Sequence, residues 1–118
     1  MSKNSFNVFI ISLYNQIVNN FDSLLHQMKK YNIIYNKMDG YYTRDEMKFI
    51  IESYSTQLTD IVHSRVLANF IDQRTMKLIN QYLSPIPMLI DNRNYEQVIS
   101  NYQKIYDIIS VDTSKLEN

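Results

Sequence analysis

The sequence predicts an all-α protein: a single domain over residues 1–118, packed as a four- to five-helix bundle around one long N-terminal helix. Three observations predict it. Apolar residues recur at steps of three and four through most of the chain, the spacing that gathers side chains on one face of a helix. Helix breakers are scarce, with one glycine and two prolines in 118 residues,. Two helix starts are written out, Thr43 followed by Glu46 and Asn94 followed by Gln97, each just ahead of an apolar periodic run,.

The first helix is expected over about Phe6 to Ile34, with Ile10, Leu13, Tyr14, Ile17, Phe21, Leu24, Leu25, Met28 and Tyr31 on its apolar face. The pair Asn19-Asn20 marks either a kink or a division into two helices. Asp39-Gly40 reads as a turn, because glycine accepts positive φ,. Thr43 then caps a second helix, with Glu46 reaching back to the Thr43 amide and Asp45 favoured by the helix dipole. That helix carries Met47, Ile50, Ile51, Tyr54, Leu58, Ile61 and Val62, and ends between His63 and Ile71.

Asp72 caps a third helix bearing Met76, Ile79 and Tyr82,. Pro85 and Pro87 stop it, since each lacks an amide donor and restrains its predecessor. A short extended piece, Met88-Leu89-Ile90, is expected next. Asn94 caps a last helix showing Tyr95, Val98, Ile99, Tyr102, Ile105, Tyr106 and Ile109. From about residue 110 the chain turns polar, and this tail is expected to fray.

Composition narrows the function. The chain is 45% hydrophobic and 20% charged, which is globular rather than disordered,. A net charge of zero gives no long-range attraction to nucleic acid or anionic membrane and favours a permanent protein partner or a homo-oligomer,. The apolar run Val8 to Leu13 is too short to span a bilayer,. The absence of cysteine excludes disulfides and thiolate metal sites,. An intracellular, cytoplasmic protein without a cofactor is expected. Heavy use of Asn, Ile and Tyr fits an AT-rich genome, such as those of many large DNA viruses, some protists and some low-GC bacteria.

No catalytic pattern emerges. One glycine rules out Gly-rich phosphate loops,. Neither His26 nor His63 has a second histidine at metal-binding spacing,. The candidate site is instead a set of partner-binding residues. Tyr31, Tyr35, Tyr41, Tyr42 and Arg44 cluster with Lys29, Lys30, Lys37 and Lys48 around the first turn, and Tyr102 and Tyr106 stripe the last helix. Tyrosine and arginine are enriched where proteins bind proteins. Aromatic rings among basic residues also stack bases, a reading that the neutral charge opposes.

The segment from Tyr35 to Met47 resembles the loop and exit helix of an EF-hand. Gly40 falls on the family's sixth loop position, Tyr42 on its apolar eighth and Glu46 on its terminal bidentate glutamate,. Met47, Ile50, Ile51 and Tyr54 follow at the exit-helix spacing, and Ile90 to Tyr95 echoes the second half of such a loop. The resemblance implies an adaptor of the calmodulin or myosin light chain kind, gripping an amphipathic helix. Tyr35 and Lys37 stand where the ion needs oxygen ligands, leaving Asp39, Thr43 and Glu46, so no calcium binding is expected,. An ordinary capped helical hairpin accounts for the same residues.

Overall fold

A computed structural model describes the backbone of residues 3–110 and the side chains of residues 5–110. The polar tail expected beyond residue 110 lies outside the described residues. Among the described residues the chain is helical with short connections: α1 Lys3–Lys37, α2 Arg44–Val62, α3 Arg65–Phe70, α4 Gln73–Leu83, α5 Ile86–Asp91 and α6 Tyr95–Ile109. The four principal helices expected from sequence are present, and two short ones join them.

α1 has 35 residues and continues through Asn19-Asn20 without division. At 1.5 Å per residue it is about 52 Å long, which accounts for most of the molecule's 56 × 25 × 18 Å extents. Its buried residues Ile11, Tyr14, Val18, Phe21, Leu25, Met28 and Asn32 alternate steps of three and four, the repeat of a packed helical seam.

α2 folds back beside α1, where the Tyr54 hydroxyl donates to Gln27 Oε1 at 2.7 Å. α6 runs antiparallel to α1: Asn32 Nδ2 donates to Glu96 at one end, and the Tyr14 hydroxyl donates to the Ile109 carbonyl at the other. α4 and α5 lie against α6, and α3 reaches α1 where Phe70 meets Tyr14 at 4.7 Å between ring centroids.

The helix starts follow the side chains that cap them. Thr43 and Glu46 form the full reciprocal box, with Thr43 Oγ1 accepting from the Glu46 amide at 3.0 Å and Glu46 Oε1 from the Thr43 amide at 2.9 Å. Asp72 accepts from the Thr75 amide at 2.8 Å, and that bond holds its carboxyl below the usual range. Asn94 caps α6 as expected. The Gln97 side chain does not complete a box, because it donates to Asn101 Oδ1 instead. Gly40 closes the first turn at φ +76°.

One boundary is sharpened and one expectation is corrected. α2 ends at Val62 with His63 as its C-cap, at the near edge of the expected His63 to Ile71 window, and the rest of that window is the separate helix α3, which starts under a Ser64 cap. The extended piece at Met88-Leu89-Ile90 is helix α5. Pro85 is its cap and Pro87 lies in its first turn, where an amide has no intrahelical acceptor and a missing donor costs nothing,. The prolines therefore end α4 and also begin α5.

α6 supplies the central side chain. Tyr102 is fully buried. Its hydroxyl lies 2.5 Å from Ser55 Oγ and 3.1 Å from Thr59 Oγ1, and donates to the Ser55 carbonyl at 3.2 Å. Beside it, the buried Asn101 donates to the Tyr82 carbonyl and ties α6 to α4.

Three outcomes follow from these contacts. Phe21→Ala, at a fully buried site on the α1 seam, should cost about 3–5 kcal/mol in urea unfolding. Thr43→Ala should cost about 1 kcal/mol by loss of the cap. Tyr102→Phe should cost about 1–2 kcal/mol, because it leaves the buried Ser55 hydroxyl without its partner.

Candidate functional site

The first turn brings most of the expected tyrosines to one end of the bundle. Tyr31 from α1 packs against Tyr42 of the turn, with ring centroids 6.0 Å apart, and against Tyr54 of α2 at 5.8 Å. Tyr41 stands edge-on to Tyr42 at 4.9 Å and is 59% exposed. The helical spacing of Tyr31 and the tight Asp39-Gly40 turn place these rings in a row, Tyr41–Tyr42–Tyr31–Tyr54. Desolvation in this row, reinforced by its neighbouring phenols, pushes the Tyr42 and Tyr54 hydroxyls above their ordinary pKa.

The row walls a shallow groove of about 400 Å³ between α1 and α2, lined by Tyr31, Tyr42, Phe49, Ile50, Ser53, Tyr54 and Gln57. Phe49 is 70% exposed at its edge. Tyr54 and Phe49 were missed as site residues. Phe49 did carry a signal: it is a large apolar residue off the Met47–Ile51–Leu58 stripe of α2, on a face that should be polar,.

The other expected residues are placed differently. Tyr35 lies apart from the row and meets Tyr95 of α6 edge-on at 6.3 Å. Arg44 is exposed in the first turn of α2. Tyr102 was expected on a partner-facing stripe, but it is core: its hydroxyl is satisfied by α2 and no part of it reaches the surface. Tyr106 is half-buried and stacks on Phe21 at 6.4 Å with the planes 15° apart, so its ring packs inward. The Tyr-Ile face of α6 holds the bundle together.

Among the basic residues at this end, Lys48 pairs with Asp91 at 3.2 Å, Arg93 approaches Asp45 at 3.9 Å, and Lys29 donates to the neutral Gln103 at 2.5 Å.

In the EF-hand-like segment, Tyr35 to Lys37 belong to α1, and Glu46 is committed to the Thr43 amide. α5, Ile86–Asp91, takes up half of the stretch 83–94 that the second loop would fill,. Among the described residues no three His, Asp or Glu side chains gather where they could hold a metal. No described helix is long and apolar enough to cross a membrane. No protein-family model, curated protein or solved structure matches the chain.

The buried phenols make the protein sensitive to alkali. Burial raises the pKa of Tyr14 and Tyr102 above 10, and for Tyr102 the bonds to Ser55 and Thr59 offset only part of that rise. The fold therefore favours the neutral phenols. Their contribution is fully present below the unfolded-chain value near pH 10 and is lost as pH rises towards the folded-state values. Tyrosinate absorbance should show an early class of phenols and a late class that titrates only with loss of helical circular dichroism.

Proposed function

We propose that this chain is a non-enzymatic interaction protein that seats an apolar, aromatic-anchored segment of a protein partner in the groove between α1 and α2. The observation that carries this reading is Phe49, held 70% in solvent beside a row of packed tyrosines. Exposing a phenylalanine next to a preformed aromatic wall has no folding benefit. Aromatic side chains around a shallow apolar depression are the composition of binding hot spots. The lining residues include no carboxylate, histidine or lysine, so they offer shape and apolar surface rather than acid–base chemistry. We further propose that the protein works in the cytoplasm.

A second reading treats the α1–turn–α2 hairpin as a calcium-independent relative of the EF-hand that grips an amphipathic helix. The left-handed Gly40 and the groove between the two flanking helices favour it,. Both readings place the partner on the same surface.

Affinity capture with wild-type protein and with Phe49→Asp tests the proposal. Phe49 faces solvent, so the variant should keep its helical circular dichroism while losing the captured partner, with affinity reduced at least tenfold. Equal capture by both proteins would overturn it. Calcium titration followed by amide NMR should leave Gly40 and Glu46 unmoved. Saturable micromolar shifts there would replace the calcium-independent reading with a working ion site.

A further inference from the structure

The first half of α1 is unlike any other surface of the molecule. From Asn4 to Phe21 the sequence has eighteen consecutive residues without a charged side chain. Soluble surfaces carry roughly a quarter to a third charged residues. Here the exposed positions are Ser5, Asn7, Ser12, Asn15, Gln16, Asn19 and Asn20, together with apolar groups. AT-rich coding does not explain the pattern, because that bias favours lysine as readily as asparagine.

The same segment carries a second apolar stripe. Phe6, Phe9, Ile10, Leu13 and Ile17 stand at i, i+3, i+4, i+7 and i+11, beside the buried seam that begins at Ile11. Phe6 and Phe9 are 53% and 55% exposed. Ile10 and Leu13 are half-buried yet lie outside the main core cluster, which along α1 begins at Tyr14. Phe6, Ile10 and Ile11 also border a shallow groove of about 310 Å³ with Asn69 and Phe70 of α3.

We infer that this stripe is the contact between two copies of the chain, paired antiparallel through the N-terminal halves of their first helices. Charge decides the occupant. A face with amides and hydrocarbon but no ion gives a charged partner or nucleic acid nothing to pair with, and the polar face of 4–21 lacks the lysines and arginines that hold interfacial helices on lipid, Lys3 being the one basic residue directly beside it,. A second copy presents the same uncharged face, and the chain's net charge of zero sets up no repulsion between copies,.

Twofold symmetry is satisfied by this spacing. A register in which Ile10 of each copy opposes Leu13 of the other also sets Phe6 over Ile17. Two half-exposed phenylalanines offer roughly 100 Å² each. With the aliphatic and amide groups the symmetric pair buries roughly 800–1,000 Å², the range of a reversible rather than obligate interface. This surface is separate from the tyrosine groove and does not depend on the function proposed for it.

Sedimentation velocity with the full chain, from low micromolar to several hundred micromolar, tests the inference. The mass should rise from 14.1 kDa towards twice that value. Phe6→Asp/Phe9→Asp should weaken association at least tenfold. So should Gln16→Lys/Asn20→Lys, which puts charge along the flank of the stripe at exposed positions outside the core. Phe49→Asp should associate as wild type does, which keeps failure of the groove proposal distinct from failure of this one. Deleting residues 111–118 should change nothing. A monomer at every concentration overturns the inference, as does a dimer indifferent to both double variants. Stronger association after the deletion would mean that the chain's own tail takes the face. Binding to phosphatidylserine vesicles that is lost in Phe6→Asp/Phe9→Asp would mean that lipid does.

Discussion

The seam of Tyr14, Val18, Phe21, Leu25 and Met28 runs along α1 in alternating steps of four and three, and the rest of the bundle is placed by it. Because the seam is straight and continuous over a helix about 52 Å long, the other helices need not enclose one another, and each lies against the strut. The radius of gyration, 16.3 Å, exceeds the roughly 13–14 Å of a spherical domain of this length for that reason. A single core cluster extends along α1, with α2 on one side and α6 on another.

Hydrophobic stripes alone would let α6 slide by a turn along α1, since isoleucine and valine are interchangeable at each level. Polar contacts remove that freedom. Tyr102 reaches the Ser55 hydroxyl and carbonyl on α2, Asn101 reaches the Tyr82 carbonyl on α4, and Tyr14 reaches the Ile109 carbonyl at the end of α6. Each is buried or nearly so, and each would lose a partner in a shifted register, at the cost of leaving a polar group unsatisfied. Specificity in this core is carried by a few hydroxyls and amides set among aliphatic groups.

The same geometry leaves two surfaces of different character. At the turn end, tyrosines from α1, the connection and α2 pack on one another and frame a groove whose edge is Phe49. At the opposite end, α1 extends past the main core and exposes Phe6 and Phe9 on an uncharged face. About 33 Å of α1 separates Phe9 from Tyr31,.

The sequence by itself determined the elements. Helix identity, the capping box at Thr43, the caps at Asp72 and Asn94 and the turn at Gly40 are local: each depends on residues within a few positions, and hydrogen bonds of that range are written in the order of side chains. Local rules misjudged Met88-Leu89-Ile90, because a proline in the first turn of a helix and a proline that ends one look alike until the partner of the next amide is known. Which tyrosines are core and which line a surface was decided only by tertiary structure. Tyr102 and Tyr31 occupy equivalent apolar positions in their helices. Tyr102 faces α2 at the centre, where Ser55 and Thr59 satisfy its hydroxyl, while Tyr31 lies at the turn end, where no fourth helix covers the rings. Periodicity fixes the angle of a side chain around its own axis, but burial depends on what the rest of the chain brings to that side.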